Sequence, residues 1–450
     1  MMSLDMTQGK PLRLIVRFAL PFMFSSILQQ LYTMTDSVVV GRALGAQAFA
    51  AIGSSSFLQW FLLSAIIGLT QGFGVVLAQR FGAKDWQGFR RAVSMSLMLA
   101  AGLCALLTLI GLVFLEEALT LLGTPIELRA YVSQYLRALW SGLMLSAIYN
   151  VCAAVLRGMG DSRTPFIALV ISTALNIVLD ILLLMVFGMG VAGAAIATLI
   201  AQAVALGYCL RTLWRSQLAK PLREDWALDR PTVRELLRLG MPPMFSHMVI
   251  STGELAMQSA INAYGVDFVT GMTASQRYFS LLNIIGSALE GAVVTFVGQN
   301  VGAKKLRRAL DGTRAAILLG VASALATTAL VVIFAKPLIR FFLPTSGAEI
   351  VGIGMGALRV EAFFLIALYL LCLYRAAIQG MGDAIVPMIS GFLELALRLV
   401  WVLWLAERLL GREGLYFTDG ITWVGTAVYL IISYYKRRAK IISELEAQAQ

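Results

Sequence analysis

Apolar residues run through this chain in long unbroken stretches separated by short polar ones, with neither the narrow stripe of an amphipathic surface helix nor the alternation of a half-buried strand. Stretches of about 20 residues, the length that crosses a bilayer as a helix, fall near 13–38, 47–78, 92–115, 130–156, 164–187 and 190–213. Six more fall near 234–262, 268–298, 310–335, 352–380, 384–406 and 420–435, the last preceded by the charged stretch 407–419. The pattern predicts an all-α polytopic membrane protein with about twelve transmembrane helices.

The two sets of six repeat each other at an offset of about 221 residues. Arg17-Phe-Ala-Leu-Pro21-Phe-Met-Phe-Ser25 matches Arg238-Leu-Gly-Met-Pro242-Pro-Met-Phe-Ser246. Gln79-Arg-Phe-Gly82-Ala-Lys84 matches Gln299-Asn-Val-Gly302-Ala-Lys304, and Gly158-Met-Gly160-Asp161 matches Gly380-Met-Gly382-Asp383. An even number of helices per repeat gives both halves the same orientation. We therefore expect two pseudo-symmetric six-helix lobes, 1–214 and 234–450, related by an axis along the membrane normal, with a central cavity. The basic, tryptophan-punctuated stretch 215–233 reads as the linker between them.

Lysine and arginine fix the orientation, because basic residues near helix ends are retained on the cytoplasmic side. They cluster at Lys10–Arg17, Arg80–Arg91, Arg157–Arg163, Arg211–Arg238, Lys304–Arg314 and Lys436–Lys440, between alternate helices. Roughly 25 lie on that side against about six on the other. Both termini are expected in the cytoplasm, in the plasma or inner membrane, and the chain is expected to be a monomer in contact with lipid. The start of the chain has a basic flank but no A-x-A cleavage site, so the first helix is expected to be retained.

Composition agrees: 59% of residues are hydrophobic and 14% charged, far from a soluble domain. The net charge of +11 does not indicate nucleic acid, because the basic residues sit in short loops and not along one polar face. The four cysteines, Cys104, Cys152, Cys209 and Cys372, lie scattered in apolar stretches and read as core packing, with no metal knuckle and no cofactor site. His247 is the lone histidine, beside the Pro242-Pro243 pair, and reads as structural. The Gly-Met-Gly-Asp repeats lack a preceding strand and a following Lys-Ser/Thr, so they read as helix ends with tight turns, not as phosphate loops.

Ionisable groups inside a span are costly and mark function by default. Asp36, Asp180, Glu254, Glu290, Glu361, Glu394 and Arg398 qualify. At 1.5 Å per residue, Asp36 stands about 33 Å up the first helix, Asp180 about 26 Å up the fifth, and Thr198 about 12 Å below the outer end of the sixth. Asn176 is one turn from Asp180 on the same face. Two carboxylates, an amide and a hydroxyl at one level suit a proton or Na⁺, and no other metal. Glu254 reaches a comparable level in the second half, with Gln258 one turn on. The repeat places Met257, Arg398 and Val402 where the first half has Asp36, Asn176 and Asp180, so the acidic cluster is expected once. Glu394 and Arg398, also one turn apart, either neutralise each other or serve a function, and the spacing does not choose between the two.

The first-helix proline, the outer-end run Thr35-Asp36-Ser37-Val-Val-Val-Gly41-Arg42, the exit Gln79–Lys84 and the Gly-Met-Gly-Asp turns resemble the multidrug and toxic compound extrusion family over essentially the whole chain. The resemblance implies an antiporter, not an enzyme, that exports small organic compounds, often cationic or amphipathic, against inward H⁺ or Na⁺. It implies a cation site at Asp36, Asn176, Asp180 and Thr198. A seventh-helix acid of another branch corresponds approximately to Glu254, with Gln258 as a neighbouring contact. A flippase for a lipid-linked precursor shares the architecture and is the alternative; it would carry a strongly basic cavity, for which Arg277, Arg359 and Arg398 are the candidates.

Overall fold

The computed structural model describes residues 4–344 and 346–449, apart from the side chains of 31–38, 41–42, 46–50, 54 and 444–449. The described residues form helices joined by short turns, with no strand among them. The first half contains α1 (Pro11–Leu44), α2 (Ala46–Gly82), α3 (Trp86–Val113), a short α4 (Leu115–Leu121), α5 (Ile126–Ser141), α6 (Leu143–Gly158), α7 (Arg163–Asp180) and α8 (Gly190–Arg215). The second contains α9 (Arg230–Asn262), α10 (Val266–Gly302), α11 (Leu306–Phe342), α12 (Ala348–Phe363), α13 (Leu365–Gly380), α14 (Ile385–Val400), a short α15 (Ala406–Leu410) and α16 (Thr418–Ala449).

Among the described residues, eight helical stretches are long and apolar enough to cross a bilayer, or ten when the bent pairs α5–α6 (47°) and α12–α13 (44°) each count as one passage. One of the eight candidates, Ile385–Ser443, holds both α14 and α16 and is too long for one crossing at about 1.5 Å per residue. Counting these separately, with α9, accounts for the twelve expected passages. The apolar windows of α3 and α11 are only 17% buried although their mean hydropathies are 2.4 and 2.5. Leu106, Leu109, Val113, Leu330 and Ile333 point outward there, as lipid-facing side chains do.

The repeat is visible in the backbone. Gly45 and Gly265 (φ 85° and 84°), Lys84 and Lys304 (57° and 58°), and Gly160 and Gly382 (81° and 89°) adopt left-handed conformations at matching positions. Each Gly-Met-Gly-Asp turn ends a helix and starts the next: Asp161 accepts from the amides of Arg163 and Thr164, and Asp383 from those of Ile385 and Val386. The fifth passage of each half then loosens into a π-helical segment, Ile181–Val186 after α7 and Trp401–Leu405 after α14.

The chain divides into two compact units, Phe24–Met244 with the chain start through Asp5, and Met6–Met23 with Phe245–Gln450. The divisions fall inside α1 and α9, so each of these helices begins in one unit and continues in the other. In the first unit Trp140, Leu136, Leu143 and Ile66 form the core, with Trp140 Nε1 donating to Gln59 Oε1 at 2.9 Å. In the second unit Phe268 stacks on Tyr416, and Trp401 Nε1 donates to the Gly414 carbonyl at 2.9 Å. Within the stretch 215–233, Asp225 is fully buried, pairs with Arg90 Nε at 3.1 Å and accepts from the Leu222 amide at 2.8 Å.

Candidate functional site

α7 and α8 pack along their length because α8 offers small buried residues, Gly193, Ala194, Ala195, Ala197 and Ala201. That close approach brings the polar face of α7 onto α8. Asp180 is fully buried and Asn176 is 1% exposed. With the amide oriented to suit its neighbours, Asn176 Nδ2 donates to Asp180 Oδ2 at 2.8 Å and Oδ1 accepts from the Thr198 backbone N–H at 3.2 Å. Asn176 therefore links the carboxylate on its own helix to α8. Thr173, one turn earlier on the same face, is buried and its hydroxyl has no hydrogen-bond partner among the described residues. Thr173 escaped the sequence reading, although its three-residue spacing from Asn176 was available there. The side chain of Asp36, on α1, lies outside the described residues, so the fourth expected member is not placed.

A buried carboxylate with an amide and hydroxyls beside it can take up a proton or a small hard cation. Among the described residues no group of three or more His, Cys, Asp or Glu side chains has metal-holding geometry.

The second half is built differently. Of the two readings left open for Glu394 and Arg398, mutual neutralisation does not occur; each pairs with another helix. Arg375 Nη2 of α13 donates to Glu394 at 2.8 Å, with Arg375 Nε donating to Ser390 at 3.1 Å. Arg398 Nη2 of α14 donates to Asp419 of α16 at 2.6 Å. Ser275 donates to buried Glu361 at 2.9 Å. Glu254, on α9, is exposed and makes no hydrogen bond to a described residue, whereas Gln258 turns along its own helix to donate to Asn262 at 2.9 Å. Neither Arg375 nor Asp419 was singled out from sequence, where nothing marked them as partners of these residues.

The succession of apolar helices, outward-facing apolar side chains and buried polar clusters defines a multi-pass membrane protein whose ionisable groups are held inside its helix packing. The MatE family model matches residues 21–182 and 242–404, one match to each half of the repeat, and the chain belongs to that family of membrane transporters. It is 32% identical over 370 residues, 81% of each chain, to the probable multidrug resistance protein YpnP of Bacillus subtilis (strain 168). It is 26% identical over 348 residues to the FAD transporter of Shewanella oneidensis, covering 73% of this chain and 74% of that one. A crystal structure described as MATE in the bent conformation superposes with a TM-score of 0.90 at 25% identity, covering all of both chains.

Proposed function

We propose that the protein is a secondary active antiporter that exports organic, cationic or amphipathic compounds from the cytoplasm in exchange for H⁺ or Na⁺, as a monomer in the plasma or inner membrane with both termini inside. The observation that carries this reading is the Asp180–Asn176–Thr198 cluster: a buried carboxylate joined by one amide to two helices inside a membrane protein. Asp180, Asn176 and Thr198, with Asp36, form the coupling site. Occupation by a proton or cation neutralises Asp180 and changes what Asn176 can bond, which alters the α7–α8 contact and hence the shape of the lobe. In this reading residues 1–214 and 234–450 are the moving lobes and 215–233 joins them.

The flippase alternative calls for unneutralised basic groups; of its three candidates Arg398 is ion-paired with Asp419, whereas Arg277 and Arg359 are exposed and in no ion pair among the described residues, so transport separates the two readings. The experiment is efflux from proteoliposomes under separately imposed H⁺ and Na⁺ gradients, with an organic cation and, because of the Shewanella relative, FAD as cargo. Efflux that needs one gradient and is lost in D36N and D180N supports the antiporter. Wild-type efflux by both variants removes the coupling site, and absence of efflux under either gradient removes the antiport reading.

A further inference from the structure

The start of α1 carries three cations with no anion to meet them. Lys10, Arg13 and Arg17 are exposed, and their side chains make no hydrogen bond or ion pair among the described residues. No acidic residue occurs from Met6 to Thr35, and the first turn of α1 holds none. Arg13 and Arg17 stand one turn apart, where like charges repel, and all three lie at the helix end that favours negative charge. Arg80 and Arg90, by contrast, are met by Glu235 and Asp225. At about 100° per residue, α1 sorts into three faces. Ile15, Phe18 and Ala19 are buried. Leu12, Val16 and Leu20 form an apolar row turned outward, with Leu12 47% and Leu20 44% exposed, and Arg13 and Arg17, with Lys10 ahead of them, form the next row. These two rows line a shallow groove of about 520 Å³. The chain leading into it is fixed: the buried Met6 donates its amide to Gln299 Oε1 at 2.9 Å, its carbonyl accepts from Asn300 Nδ2 at 3.2 Å, and Lys305 Nζ donates to the Thr7 carbonyl at 2.9 Å. The groove is therefore presented by an anchored helix start.

We propose that this groove binds one anionic phospholipid of the leaflet in which α1 begins, with its phosphate among Lys10, Arg13 and Arg17 and an acyl chain along Leu12, Val16 and Leu20. An apolar row beside a cationic row, on the outward face of a helix in a membrane, complements a molecule that is apolar along its length and negative at its head. A zwitterionic lipid brings its own cation to the same place and gains less. A signal for membrane orientation needs charge alone; two adjoining rows that line one groove supply a shape as well. The bound lipid relieves the repulsion between Arg13 and Arg17 and seats the stretch of α1 that belongs to the second unit. The inference needs only the membrane setting and stands apart from the transport reading.

The test is a lipid titration of the full-length protein in detergent, read by native mass spectrometry. Dioleoylphosphatidylglycerol should add saturably at one molecule per chain, and dioleoylphosphatidylcholine, which has the same acyl chains, at least about tenfold more weakly. R13Q/R17Q should weaken the phosphatidylglycerol complex at least about tenfold, since each basic residue near an anionic lipid contributes about fivefold. Should that double variant fail to insert, R13Q alone is read in its place, with about a fivefold loss expected. R234Q/R238Q, which removes two charges from the matching turns of α9, should leave binding unchanged. An equal loss in the α9 variant would mean a general effect of surface charge and would overturn the site. Equal retention of the two lipids, or wild-type binding by the α1 variants, overturns it as well. Displacement of the lipid by a large excess of inorganic phosphate would show a site for a free anion and end the lipid assignment.

Discussion

Arg398 meets Asp419 between α14 and α16 at the register where, one repeat earlier, Asn176 meets Thr198 between α7 and α8. Each half thus fastens its fifth passage to its sixth through one polar side chain at the matching position of the repeat. In the first half that side chain is a neutral amide, which bonds Asp180 without carrying charge. In the second it is a permanent cation, which neutralises its partner. The same helix contact is made by a neutral side chain in one half and by an ion pair in the other.

Removal of the exchangeable carboxylate should stop coupling without unfolding the protein. D180N keeps the side-chain shape and can still bond Asn176, so we expect efflux to fall at least about tenfold while the melting temperature changes little. Efflux and thermal unfolding on the same preparation decide it; efflux near wild type refutes the role of Asp180.

Asn176→Leu should cost both function and stability, since it removes the donor to buried Asp180 and the acceptor for the Thr198 amide. Leaving buried polar groups unsatisfied costs about 1–3 kcal/mol. A lower thermal midpoint together with lost efflux is expected, in contrast to D180N.

The Arg375–Glu394 pair should be structural. Breaking one side, as in R375M or E394L, leaves an uncompensated buried charge worth about 3–5 kcal/mol. Replacing both at once should restore much of the loss. A double variant less stable than either single one would contradict this.

D225N should loosen the linker, because Asp225 is fully buried against Arg90 and the Leu222 amide. Faster protease cleavage within 216–229, with transport retained, is the expected result. Unchanged cleavage would show that the tie to α3 does not hold the linker.

The helices were legible because a span needs about 20 apolar residues, and few other patterns in a chain do. The level shared by Asn176, Asp180 and Thr198 was legible because rise per residue converts sequence distance into depth. The partners of Glu394 and Arg398 were not. Spacing of four residues places two charges on one face but does not say whether each turns toward the other or toward a neighbouring helix, and here both turn toward neighbours. The burial of Asp225 was not legible either, because burial of a linker side chain leaves no periodic trace.

The sequence by itself determined the membrane class, the positions of the passages and the two-fold repeat, since all three follow from the local cost of placing polar groups in lipid. The tertiary structure alone decided that α1 and α9 each begin in one compact unit and continue in the other, that Asn176 ties Asp180 to α8, and which carboxylate neutralises each buried arginine. Those outcomes depend on how helices distant in sequence lie against one another, and the apolar exterior shared by every span carries no record of that choice.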